Sequence, residues 1–226
     1  MTSTPDALRR SAAHVVVDDV ASPLLDEAAE HHLLRVLRLR DGASVTVTDG
    51  RGAWRSCRLD GGVLEPVDDV VIAPRGRAIT IGVTVPKHDR PEWIVQKLTE
   101  LGVARIVFLH AERSVVRWDG ERGAKHVDKA RRVALEAIHQ CRAVWLPVVE
   151  GPIPAGAFLP GAVAAEPGGR RLTIDDVAIA VGPEGGWTED ELAVARDRVA
   201  LPGGILRVET AALTACVHAL GLDFTT

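Results

Sequence analysis

The chain has 226 residues, 46% of them hydrophobic and 26% charged, with a formal net charge of −4. That length gives room for one large or two small domains with a sizeable core, and the balance is that of an ordinary globular protein rather than one coated in base for indiscriminate nucleic-acid binding. No apolar stretch approaches membrane-spanning length and the opening MTSTPDALRR lacks the apolar centre of a secretory leader, so a cytoplasmic protein without a membrane partner is expected. From about Val15 to Ala73 the pattern is mostly short strands and turns. Strand candidates are Val15 to Val17, Leu37 to Leu39, Val45 to Thr48, Ala53 to Leu59 and Val67 to Ile72, with Glu27 to Val36 a helical interruption. The turn Asp49-Gly50-Arg51-Gly52 marks a hairpin, and a small, partly open β-barrel is the natural assembly of these pieces. Pro74-Arg75-Gly76-Arg77 breaks the pattern as a linker.

Beyond the linker strand and helix alternate, which implies a parallel α/β sheet. Ile79 to Val85 is a strand. Asp89 with Glu92 reads as a capping box opening a helix that places Ile94, Leu98 and Leu101 on one face and stops at Gly102. Val103 to Leu109 is the next strand. A helix over His126 to Gln140 turns Val127, Ala130, Val133, Ala137 and Cys141 inward and its basic residues outward. Strands near Ala162 to Ala165 and Val177 to Val181 follow, the second wholly apolar, as a central strand would be. The last helix, with Thr210 a candidate cap, reads AALTACVHALG and is nearly apolar all round. Such a helix must be covered on both sides, so a homodimer is expected, with burial inside one protomer as the alternative. Cys57, Cys141 and Cys216 are far apart and odd in number, which fits neither a disulfide framework nor a zinc site; they are expected as buried thiols, with no metal.

Two features carry chemistry. The first is VGPEGGWTED, residues 181 to 190: a strand end, a turn built from glycine and proline, and a helix whose start is signalled by Thr188 with Glu191. A glycine turn at a helix N-terminus commonly takes phosphate, but Glu189, Asp190 and Glu191 already answer the helix dipole and would repel one. A neutral or cationic ligand fits better, and a tight strand-to-helix connection with no ligand is the alternative. The second feature is local base on an acidic background. Arg35, Arg38, Arg40, Arg51, Arg55 and Arg58 stand against Asp41 and Asp49. Further along, Arg113, Arg117, Arg122, Lys125, Lys129, Arg131, Arg132 and Arg142 stand against Asp119, Glu121, Asp128 and Glu136. Two such patches suggest a defined polyanion site, with solvated arginines as the plain alternative.

Four stretches, in order, resemble one family. HHLLRVLRLRDG (His31 to Gly42), KHDRPEWIVQKLTELGVARIVFLHAERSV (Lys87 to Val115), IAVGPEGG (Ile179 to Gly186) and ILRVETAALTA (Ile205 to Ala215) are similar to the RsmE family of SPOUT-class ribosomal RNA small subunit methyltransferases. The resemblance implies a small PUA-like β-barrel RNA-binding domain over residues 1–73. It implies a trefoil-knotted parallel α/β methyltransferase domain over 78–226, working as a homodimer. It implies methylation of N3 of a uridine in 16S ribosomal RNA of the small subunit, with S-adenosylmethionine as cofactor. By motif, cofactor-binding residues are then expected in three loops: around Ala165 and Glu166; at Val181, Gly182, Pro183, Gly185 and Gly186; and at Leu201, Gly203 and Leu206. Because N3 of uracil carries a proton, a base or an anion-stabilising cation is needed beside the methyl donor, and Arg113, Arg207 and Glu209 are the candidates. An ion pair between Arg207 and Glu209 that merely shapes the knot is the alternative for those two, and a phosphate contact is the alternative for Arg113. RNA-binding residues are expected at Arg35, Arg38, Arg40, Arg131 and Arg132. The chain departs from the family where Gly204 stands in place of a frequent arginine and where the stretch between Leu192 and Ile205 is short. A catalytically weak RNA-binding relative, or an enzyme acting on a different RNA, is the competing expectation.

Overall fold

The computed structural model describes residues 5–87 and 90–221, so the expected cap Asp89 lies outside the described residues. In chain order the elements are α1 (Asp6–Arg10), β1 (Ala13–Val16), α2 (Glu27–His31), a π-helical turn over His32–Val36, β2 (Ser44–Thr48), β3 (Ala53–Asp60), β4 (Val63–Pro66), β5 (Val71–Ile72), β6 (Thr80–Thr84), α3 (Arg90–Glu100), β7 (Arg105–His110), α4 (Gly120–Cys141), β8 (Val148–Pro154), α5 (Ala155–Phe158), a single 3₁₀ turn over Leu159–Gly161, β9 (Val163–Arg171), β10 (Ala178–Val181), α6 (Glu189–Val194), β11 (Asp197–Ala200) and α7 (Val208–Ala219). They form two compact units. One is the chain up to Arg75 together with Leu135–Leu146; the other is Gly76–Ala134 with everything from Pro147 onward.

In the first unit β1 runs parallel to β2, β2 antiparallel to β3, and β4 and β5 both pair with the far edge of β3. The alternation of β2 and β3 turns Val45, Val47, Cys57 and Leu59 onto Val15 and Leu33, the apolar centre of the unit. The expected hairpin is present, its turn held by the Asp49 carboxylate, which accepts from the amides of Arg51 and Ala53. Two expected strands are not as drawn. Leu37 to Leu39 is a loop, because the Leu37 and Leu39 amides already donate to the carbonyls of His32 and Leu33 and Arg38 takes a positive φ of 53°. Of Val67 to Ile72 only Val71–Ile72 joins the sheet, because the Asp68 carbonyl and carboxylate are taken by Arg55 and by the Ser56 amide. The end of α4 and the residues after it complete this unit: His14 Nε2 bonds to the Ala143 carbonyl, the Gly52 amide to Val144 and the Leu146 amide to Gly50. Val144 packs with Leu8 and Trp54.

The second unit is built on a six-stranded sheet in the order β11-β9-β10-β6-β7-β8, with every pairing parallel. β10 is interior, and Ile179, Ala180 and Val181 are fully buried, as a strand covered on both faces should be. The helix expected from His126 starts six residues earlier at Gly120, in a stretch where Gly120 and Gly123 dilute the apolar periodicity. α7 begins earlier than expected too: its N-cap is Arg207, and Thr210 lies inside the first turn. It buries Val208, Ala211, Ala212, Ala215, Cys216 and Ala219 against α3, β6 and β10. Cys57 and Cys216 are buried and their thiols pushed up to about 11 and about 12 by that burial, whereas Cys141 is only half-buried, a departure from the expectation. Between β9 and β11 the carboxylate of Asp176, 2% exposed, accepts from Arg170, Arg196 and the Thr173 amide. No described helix is long and apolar enough to cross a membrane.

Candidate active site

The turn after β10 is assembled from local constraints and from bonds to distant parts of the chain. Thr188 and Glu191 form a capping box, so α6 begins where the sequence says it should. Glu191 does more than cap: its second carboxylate oxygen accepts the Glu112 amide at 2.9 Å, which ties the turn after β7 to the start of α6. Gly186, at φ +70°, donates to the Pro183 carbonyl and reverses the chain. Gly182 has the closest neighbour: a Cβ there would lie 2.9 Å from the indole of Trp187, so only glycine admits the ring beneath the turn. The Trp187 indole Nε1 in turn donates to the Ala165 carbonyl at 3.2 Å, linking this turn to β9. Arg113 closes the arrangement, with one guanidinium nitrogen donating to the carbonyls of Gly185 and Trp187, both at 3.0 Å.

The three stretches expected around a cofactor leave the sheet at the same edge. Val181 is in register with Ala165, and the end of β9 is flanked on its other side by β11. Parallel strands in register put their carboxyl ends together, where open α/β sheets bind ligands. Ala165 and Glu166 are not in a free loop as expected. They belong to the long β9, but Ala164 pairs with Arg198 and Arg170 with Val199, so residues 165 to 169 bulge out of that ladder. Leu201, Gly203 and Leu206 lie in the segment that follows β11, with Leu201 and Leu206 half-buried and Gly203 exposed. At the same edge Thr84, 1% exposed, carries a hydroxyl with no hydrogen-bond partner among the described residues. It follows Val83, the register partner of Val181. A glycine turn and an orphaned buried hydroxyl at one edge of the sheet fit a polar ligand without a phosphate, held through backbone and hydroxyl groups.

Among the candidate catalytic residues, Arg113 is at the turn. Arg207 and Glu209 do not pair with each other. Two residues apart at the start of a helix they face different directions, and Glu209 instead pairs with Arg90 of α3 at 3.1 Å. Arg207 is exposed, and its side chain has no hydrogen bond or ion pair among the described residues. Arg35, Arg38 and Arg40 are exposed on the first unit, around the π-helical turn, and equally unpaired. Arg131 donates to the Val149 carbonyl and pairs with Asp128, whereas Arg132 is exposed and unpaired among the described residues. Trp187, Arg90 and the second bond of Glu191 had no local signal in the sequence.

Residues 74–220 match the family described as the RNA methyltransferase domain, and residues 25–61 that of the RNA methyltransferase PUA domain. Ribosomal RNA small subunit methyltransferase E of Synechocystis is 30% identical over 218 residues, covering 84% of this chain and 70% of that protein. Its counterpart in Mycobacterium bovis is 30% identical over 228 residues, covering 88% and 86%. The crystal structure of ribosomal RNA small subunit methyltransferase E from Neisseria gonorrhoeae, bound to S-adenosylmethionine, matches with a TM-score of 0.76 and 27% identity over 92% of this chain and 97% of that one. With its PUA-like unit, its parallel α/β unit and the glycine turn at the carboxyl edge of that sheet, this chain belongs to the RNA methyltransferase family, among the ribosomal RNA small subunit methyltransferases E.

Proposed function

We propose that the protein methylates N3 of a uridine in the 16S ribosomal RNA of the small subunit, in the cytoplasm and as a homodimer, using S-adenosylmethionine. The observation that carries this reading is the turn Gly182 to Gly186, packed on Trp187 and clasped by Arg113 at the carboxyl edge of the sheet. When bound, S-adenosylmethionine supplies an electrophilic methyl group on a sulfonium. The turn, the bulge at Ala165 and Glu166, and Leu201 to Leu206 would hold it through backbone groups, without a phosphate to meet the acidic start of α6.

Uracil N3 becomes a good nucleophile only as its proton leaves, so the site must stabilise negative charge spreading onto the base carbonyls. Arg113 has guanidinium donors beyond those given to Gly185 and Trp187, and they are available for that charge. Arg207, at the N-cap of α7 and unpaired among the described residues, is the second cation. Glu209, neutralised by Arg90, positions the start of α7 rather than taking the proton. We infer the trefoil knot from the return of the chain after β11, at the sheet edge, to α7 packed on the interior strands β6 and β10. The dimer is inferred from α7, whose Leu213, Val217 and Leu220 stay half-exposed after its other face is buried.

Mass spectrometry of ribosomal RNA from cells lacking the gene tests the reading. Loss of 3-methyluridine, restored by purified protein and S-adenosylmethionine, is the expected result; an unchanged 3-methyluridine content would overturn it.

A further inference from the structure

At the carboxyl ends of β6 and β7 lies an open cleft of about 460 Å³, lined by Pro86, Glu92, Val116, Arg117, Trp118, Arg122, His126 and Lys129. Its floor is rigid. Trp118 is 8% exposed and lies between Phe108 and the ring of His126, which stacks on it at 4.7 Å with an interplanar angle of 10°, and the Trp118 amide donates to His110 Nε2 at 3.0 Å. Its rim is basic. Among the described residues the only acid in the lining, Glu92, is answered by Lys129 at 2.7 Å, and Arg117 and Arg122 are exposed and unpaired. The base continues along α4: Arg122, Lys125, His126, Lys129 and Arg132 recur at helical spacing on one face, and Arg131 turns away to Val149.

We infer that this cleft seats backbone phosphates of the RNA strand flanking the reacting nucleotide. Two unpaired guanidiniums on a protein of net charge −4 constitute a local anion site, and their planar forks match phosphate oxygens. An open trough continued by a basic helix face suits a continuous chain rather than an enclosed small molecule. The apolar lining beyond the buried Trp118 is Pro86 and Val116, too little for the anchor pocket of a protein partner. The position is apt, because β6 is next to β10 and β7 next to β6, so the end of β7 is about 10 Å from the end of the strand that carries the glycine turn. This inference rests on the RNA methyltransferase reading for the identity of the polyanion.

The test is filter binding of a 16S ribosomal RNA transcript across a salt series, by the wild-type protein and by Arg117→Ala/Arg122→Ala. The double variant should flatten the plot of log affinity against log salt by roughly 1.4 units of slope, two single-strand contacts at about 0.7 each. It should bind about tenfold more weakly or worse near physiological salt. Arg117→Lys/Arg122→Lys should keep the slope, because the charge remains, and calorimetric affinity for S-adenosylmethionine should stay within about twofold in every variant. The inference is overturned by an unchanged slope, by an equal loss of cofactor affinity, or by weakened binding to whole small subunits with naked RNA unaffected, which would make the cleft a protein contact. If the wild-type protein shows the salt effect but methylates no ribosomal RNA, the proposed function fails and the cleft stands.

Discussion

Gly182 has so little room that a single added methyl group would press on the indole of Trp187. Gly182→Ala should displace that ring and break its bond to Ala165. The expected cost is about 1–3 kcal/mol of stability, together with a loss of at least about tenfold in S-adenosylmethionine affinity. Calorimetry on the folded variant checks this, and wild-type affinity would show that the turn does not depend on the packing. A second residue answers to pH. His14 is 2% exposed, bonded to Thr46 and Ala143, and burial lowers its pKa from 6.5 to about 4. The unfolded chain therefore takes up a proton that the folded protein refuses. The stabilisation is complete above pH 6.5 and is lost as the pH falls toward 4, by up to about 3 kcal/mol. Urea melts at a series of pH values should show that slope, and His14→Asn should flatten it.

Among the elements, α6 is short, but its capping box also fastens the turn after β7. Glu191→Ala should cost about 1 kcal/mol for the cap, and about 0.5–1.5 kcal/mol more for the lost bond to the Glu112 amide. Slower methyl transfer should accompany it, because Arg113 follows Glu112; a variant as stable and as fast as wild type would show the two turns to be independent. The same pair of turns shows what the sequence could reveal. The capping box, the glycine turn and the buried strand β10 were legible because each is fixed by neighbours within a few residues. The bonds from Trp187 to Ala165, Glu191 to Glu112 and Arg90 to Glu209 span 22, 79 and 119 residues and leave no local trace. β8 and β11 were missed for a related reason. VVEGPIP is broken by glycine and proline, and DRVA has little apolar content, with Arg170 pairing Asp197 from the neighbouring strand. Leu37 to Leu39 misled in the opposite sense, with strand-like side chains on a backbone whose amides close a π-helical turn.

For the molecule as a whole, the expected dimer turns on which face of α7 is probed. Ala212 and Ala219 are fully buried inside the protomer, so a charge there would unfold the chain and say nothing about assembly. Leu213 and Val217 are half-exposed. Leu213→Lys should give a folded monomer by sedimentation where the wild-type protein is a dimer, and a wild-type monomer at micromolar concentration would refute the assembly. The division of α4 between the two units matters before any of this can be measured. The first unit lacks Ala143, Val144 and Leu146 until about seventy residues after Arg75 have been made. At ordinary elongation rates that is a wait of roughly 4 to 14 s on the ribosome. Meanwhile Leu8 and Trp54 lack the side chain that covers them, and His14 lacks its carbonyl. The end that emerges first is thus finished only after residues 76–134 of the second unit have been made. A nascent chain stalled at the linker would offer quality-control proteases an open sheet, whereas one stalled past Leu146 would carry every residue of its first unit.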